Sequence, residues 1–195
     1  LTSAVVACLV PVVLAGNALL LLAWGWLPRA LYALPGFPDG DGLAGDDSFT
    51  VTNGHGYTTL NISGGNPSGT DVTDLTGDGG DVTVQMGTSP VSTKDGVVSG
   101  GGLGTVNLSG VEVVNVAAAT GNVTVNGTAE ADDLTYAPSD VDDAGTMSKA
   151  GLNLVVNLSG VDGLTVDGVS GDDRLTFLGT AAADVFTVSS TAVNT

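Results

Sequence analysis

The feature that most constrains this chain is a short unit that recurs along it: an apolar residue, then Thr or Asn, then another apolar residue. It occurs as Phe49-Thr50-Val51, Leu60-Asn61-Ile62, Val82-Thr83-Val84, Val106-Asn107-Leu108, Val114-Asn115-Val116 and Val123-Thr124-Val125. It continues as Leu134-Thr135-Tyr136, Val156-Asn157-Leu158, Leu164-Thr165-Val166, Leu175-Thr176-Phe177 and Phe186-Thr187-Val188. Alternation with a period of two, carried largely by β-branched residues, predicts short strands with one buried and one wet face. Gly, Asp, Ser and Asn fill the stretches between, and these residues accept positive φ or close turns. Helix has little support after residue 35; its nearest candidate, Val141 to Lys149, reads as an excursion from the repeat.

Longer copies overlie the triplets. Val106-Asn-Leu-Ser-Gly-Val111 returns as Val156-Asn-Leu-Ser-Gly-Val161 at an offset of 50, and Asn122–Tyr136 aligns with Arg174–Val188 at an offset of 52. The two extra residues fit a loop insertion around Asp172 and Asp173. The last three triplets begin at 164, 175 and 186, a spacing of 11 that also separates Phe49 from Leu60. The fold class expected is therefore all-β, a parallel β-solenoid or β-helix-like repeat, with β-sandwich repeats as the alternative. Residues 36 to 195 hold no Trp or Cys to anchor a sandwich core. A coil of about 22 residues with two triplets would set Leu164 under Phe186 at a rise of roughly 4.8 Å.

The repeat does not reach the N-terminus. Leu1 to Pro28 carries no charged side chain, and Ala4–Leu27 is long enough to cross a bilayer core of about 30 Å as a helix. Residues 1–35 are expected to be an apolar helical segment, spanning or contacting a membrane or serving as an export signal, with Trp24, Trp26 and Tyr32 suited to the interface. A buried helical hairpin, or sequence foreign to the protein, are the competing readings, because Pro11, Gly16 and Asn17 interrupt the run and its nearest cation, Arg29, follows it. Val5-Val6-Ala7-Cys8 only loosely matches a lipidation site, since the residues after Cys8 stay apolar. An acidic Gly/Asp linker, residues 36–48, leads into a β-repeat region, residues 49–195, expected to be incomplete at its C-terminal end.

Charge separates the same regions. The net charge is −17, and from residue 36 onward 21 acids face only Lys94, Lys149 and Arg174. Nucleic acid is thereby excluded as a partner, because no basic stripe exists to neutralise phosphates. Cations are the natural complement of such a surface, above all calcium, which prefers carboxylate and carbonyl oxygens. The acids gather before strands: Asp46 and Asp47 before Phe49, Asp132 and Asp133 before Leu134, Asp172 and Asp173 before Leu175, Asp184 before Phe186. Stacked coils would line these carboxylates into repelling columns, which a bound cation would offset. Asp39, Asp41, Asp78 and Asp81, in Gly-Asp runs, complete the candidate metal ligands. The bland reading of all of them is a solvated turn or strand cap. An EF-hand is rejected for Asp39–Asp47, since Leu43 and Thr50 stand where ligands are needed.

Gly179-Thr-Ala-Ala-Ala-Asp-Val-Phe-Thr-Val188, with Gly127–Tyr136 as a second copy, resembles units of repeat-rich secreted bacterial surface proteins, distantly like the haemolysin-type calcium-binding β-rolls. The resemblance spans roughly residues 45–195. It implies an extracellular or cell-surface structural or adhesive module that meets neighbouring repeats and a glycan or surface partner, with calcium as a stabilising cation. The tandem Gly-Gly-x-Gly-x-Asp-x-apolar-x nonapeptide is not matched; Thr76–Val82 is a partial hit, so no ligand set is carried over.

Catalytic machinery is sparse. His55 is the sole imidazole and lies in a Gly-flanked loop, Cys8 sits in the apolar stretch, and Gly100-Gly-Gly-Leu-Gly104 lacks the helix and lysine of a phosphate loop. No catalytic residue is assigned. The enzymatic alternative is a polysaccharide-cleaving β-helix lyase or glycosidase, with Arg174 beside Asp172 and Asp173 as its only basic group.

Overall fold

A computed structural model describes residues 45–65, 70–87 and 96–182 with their side chains, and the backbone of four short strands before residue 45. The described residues are all-β. The strands are β1 (Val12–Leu14), β2 (Ala18–Leu20), β3 (Ala30–Tyr32), β4 (Asp39–Asp41), β5 (Ser48–Thr52), β6 (Thr59–Ser63), β7 (Val72–Thr76), β8 (Val82–Met86) and β9 (Gly96–Gly100). They continue as β10 (Thr105–Ser109), β11 (Val113–Ala117), β12 (Val123–Asn126), β13 (Asp133–Pro138), β14 (Gly145–Lys149), β15 (Val155–Ser159), β16 (Leu164–Asp167) and β17 (Arg174–Phe177).

Two sheets carry the fold. One has seven strands in the order β16-β12-β8-β9-β10-β6-β4; the other has eight, β17-β13-β14-β15-β11-β7-β5-β3. From β3 the chain alternates between them, except where β8, β9 and β10 stay in the first and β13, β14 and β15 in the second. Within these two sheets only β9 and β14 pair antiparallel with their neighbours; every other pair is parallel.

Period-two patterning explains the core. Val106, Leu108, Val114, Val116, Val123, Val125, Leu134, Val156 and Leu158 are each at most 3% exposed, and residues from both sheets join one apolar cluster. Burying a side chain of this size stabilises by about 1.5–3 kcal/mol, so the inward column is the main cohesive element. The middle residue of the triplet faces the other way. There Asn107 Nδ2 donates to Asn61 Oδ1 at 2.8 Å, Asn115 Nδ2 to Asp74 Oδ1 at 2.7 Å and Asn157 Nδ2 to Asn115 Oδ1 at 2.8 Å. Thr146 Oγ1 extends the second ladder by donating to Asn157 Oδ1 at 3.0 Å. In-register stacking brings amides together whose donors and acceptors satisfy one another.

The registers revise the expected period. Asp39 pairs with Asn61, a step of 22, and Thr50 with Asp74, a step of 24, near the expected coil. Beyond them the steps lengthen, to 46 from Asn61 to Asn107 and to 41 or 42 from Asp74 to Asn115 to Asn157, from Thr83 to Thr124 to Thr165, and from Leu134 to Leu175. The added length is the extra pair of strands, β9 with β10 or β14 with β15. The copies offset by 50 do not stack on each other, because Val106–Leu108 lies in β10 and Val156–Leu158 in β15, on opposite sheets. Each copy ends a three-strand run, and Gly110 and Gly160, with φ of 63° and 61°, turn the chain toward the other sheet at the same point.

Two expectations about helix change. Gly145–Lys149, inside the weak helical candidate, is strand β14, because Met147 is needed in the core between Tyr136 and Val156. Within residues 1–35, expected to be helical, the described residues form β1, β2 and β3. No helix among the described residues is long and apolar enough to cross a membrane. The remainder of that stretch lies outside the described residues.

Candidate cation sites in the turns before strands

The residue before a strand sits where a neighbouring strand still has an unpaired first N–H. Asp47 N donates to Asp71 Oδ1 at 2.8 Å, and Asp71 N donates to Glu112 Oε2 at 3.0 Å. Asp132 N donates to Asp173 Oδ1 at 2.9 Å, and Asn122 donates to Asp81 Oδ1 through Nδ2 at 2.9 Å and through its backbone N at 3.3 Å. Asp46 Oδ1 takes Thr70 N at 3.0 Å, and Asp78 Oδ1 takes Gly80 N at 2.9 Å within its own turn. A carboxylate placed before one strand thus caps the backbone of the strand stacked on it, satisfying groups that would otherwise be orphaned.

Burial sets these acids apart from solvated turn residues. Asp71 is fully buried, Asp132 is 3% exposed and Asp47 7%. Asp132 forms an ion pair with Lys149 Nζ at 2.6 Å, and Thr128 donates to it from its backbone N–H and from Oγ1. Burial alone would raise the Asp132 pKa, but the Lys149 ammonium and the Thr128 N–H outweigh it and hold the carboxyl below its usual value. Asp133 sits on the wet side, gripped in a fork by Arg174 at 3.0 Å from Nε and 2.7 Å from Nη2. That contact raises the Arg174 pKa.

Among the described residues, no three His, Cys, Asp or Glu come together as a group able to hold a metal ion. Asp46, Asp78, Asp81, Asp132, Asp133 and Asp173 are instead spread over several turns in capping or ion-pair roles, and Asp47 takes part through its backbone N–H. Asp172 is exposed beside them. Asp39 and Asp41 lie on β4, with side chains outside the described residues, as is the whole of Asp184.

No family model, curated protein or solved structure matches this chain.

Asp71 and Glu112 were absent from the expected set because Asp71 does not precede a regular triplet and Glu112, two residues before Val114-Asn115-Val116, is a lone acid with no Asp beside it. Asp71 leads into Val72-Thr73-Asp74-Leu75, where Thr73 occupies an inward position and is fully buried. Among the described residues, the Asp71 Oδ2 and Thr73 Oγ1 atoms have no hydrogen-bond partner, a polar exception in an otherwise apolar column. The available signal was position alone, an acid directly ahead of a β-branched residue after a Gly-rich loop.

His55 is held on both ring nitrogens. Its Nδ1 accepts Tyr57 N at 3.0 Å, so the tautomer carries its proton on Nε2, which lies 3.0 Å from Leu103 O. The ring stacks on Tyr57 at 5.6 Å and fastens its loop to the turn between β9 and β10. In that turn, Gly100 to Gly102 and Gly104 all adopt positive φ, which closes the chain tightly around buried Leu103.

Proposed function

We propose that this chain is a structural or adhesive repeat module of a secreted or cell-surface bacterial protein, built as a parallel β-solenoid whose coils are lengthened by antiparallel strand pairs. The observation that carries the reading is the in-register parallel stacking at steps of 41 or 42, with Asn and Thr rows outward and apolar residues inward. Such stacking makes each repeat depend on its neighbours and yields an extended, low-specificity surface suited to spacing or adhesion. A cation-seeking composition of 21 acids against four Lys plus Arg supports calcium as an added stabiliser, with the Asp39–Asp47 run as its first location. In this reading the module binds surface polysaccharide without cleaving it.

The test immobilises the full chain and presents acidic and neutral cell-surface polysaccharides in millimolar calcium and in chelator. Retention without turnover is expected. Release of new reducing ends or unsaturated sugars would replace this reading by the polysaccharide-cleaving one. In parallel, the melting temperature should rise with calcium, as any ligand bound only by the folded state requires; identical curves in chelator would remove calcium from the reading.

A further inference from the structure

Among the described residues, one end of the fold is left uncovered. Strand β16 pairs only with β12 and β17 only with β13 among the described residues, so both sheets end there in an open edge. The apolar column ends with them. Leu175 is 49% exposed and Phe177 47%, whereas Leu134, one step back in the same column, is 2% exposed. Leu164 and Val166 are half-buried, where their partners Val123 and Val125 are fully buried. Leu178 and Val169, just outside these strands, are exposed as well. Open edges next to exposed apolar side chains form a template for another strand.

The sequence that follows matches what the fold uses to add one. Gly127 to Asp132 carries the chain from β12 to β13, and Gly168 to Asp173 carries it from β16 to β17, each time changing sheet. Each connection is followed by a four-residue strand start, Asp133-Leu-Thr-Tyr136 and Arg174-Leu-Thr-Phe177. Gly179 to Asp184 repeats the same spacing and leads into Val185-Phe-Thr-Val188. Its first turn already matches the earlier copy: Thr180 Oγ1 accepts Ala182 N at 3.2 Å, as Thr128 Oγ1 accepts Glu130 N at 3.3 Å. Of the connections that reverse direction within a sheet, the one that follows β13, residues 139–144, contains no glycine and no such spacing. A sheet change from β17 leads to the open edge of β16.

We propose that the open end formed by β16 and β17 is the docking surface for one further strand of this repeat, Phe186-Thr187-Val188, pairing in parallel with Leu164-Thr165-Val166 and seating Phe186 and Val188 over the uncovered apolar column. The inference rests on the stacked-coil reading above and gives it a direction of growth: each added strand covers the previous one and presents the next open edge.

Disulfide trapping in the full chain, with Cys8→Ser removing the native thiol, tests it. Neighbouring strands lie about 4.8 Å apart, within the span a disulfide bridges. Thr165→Cys with Thr187→Cys should close an intramolecular bond on mild oxidation, seen as a reducible mobility shift and a linked peptide by mass spectrometry. Thr124→Cys with Thr165→Cys, paired in the described sheet, is the control. If the control closes and the 165–187 pair does not, the docking proposal falls while the stacked coil stands. If neither closes, the coil reading itself falls. Closure of Thr176→Cys with Thr187→Cys instead, or linkage only between two molecules, overturns the proposal in favour of extension on β17 or of a second copy.

Discussion

The connections Gly127–Asp132 and Gly168–Asp173 have the same spacing and the same sheet-changing task, yet they differ in energetic weight. In both, a Cβ on the leading glycine would run into the carboxylate of the closing Asp, so the glycine is required by close approach. In the first, Asp132 is covered by Lys149 of β14 and by the next layer, and its side chain is fully buried. In the second, Asp173 caps Asp132 N from an exposed turn that nothing described lies over. The local pattern therefore sets the conformation, and the layer stacked above sets how much stability depends on it.

Removing the buried cation should have the largest effect. Lys149→Met leaves Asp132 ionised and unpaired in the interior, and should cost about 3–5 kcal/mol in denaturant unfolding. A loss below about 1 kcal/mol would show that water reaches Asp132 and that the contrast with Asp173 is smaller than stated. Gly127→Ala should follow at about 2–3 kcal/mol, since the displaced carboxylate is pinned by Lys149, with Gly168→Ala nearer 1 kcal/mol because Asp173 can move into solvent. Equal losses in the same titration would erase the distinction.

The contrast also carries a pH signature. The Asp132 pKa is depressed in the folded state, so its contribution is complete above the unfolded carboxylate pKa of about 3.9 and is lost as pH falls through the folded value. Below about pH 4 the wild type should therefore lose stability more steeply than Asp132→Asn, and parallel acid limbs would contradict the assignment. Least of all should follow from Arg174→Ala, which removes an exposed fork from Asp133 and should leave the melting temperature unchanged.

Much of the strand content was legible because it rests on local alternation. Every triplet from Phe49-Thr50-Val51 to Leu175-Thr176-Phe177 lies in a strand with its apolar residues turned to the core side. Strands β7, β9 and β14 were not, since Thr73 and Asp74 break the pattern, Gly96 and Gly100 bracket β9, and Thr146-Met147-Ser148 sits where acids and Ala favour a loop. The stacking period was hidden for a different reason. Identity at an offset of 50 reflects equivalent tasks on opposite sheets, whereas true neighbours need only matching volume inside and a mutual hydrogen bond outside. Asp74, Asn115 and Asn157 satisfy that without being identical. The acids were legible as pre-strand residues; their use as caps on the adjacent strand depends on register, which local sequence does not carry.

The register is the claim on which the rest depends, and one comparison tests it directly. In a Cys8→Ser background, Asn115→Cys with Asn157→Cys, partners across β11 and β15, should form a disulfide under mild oxidation and raise the melting temperature. Asn107→Cys with Asn157→Cys, equivalent residues of the 50-offset copies on opposite sheets, should not. Bonding of the second pair in place of the first would contradict the stacking described.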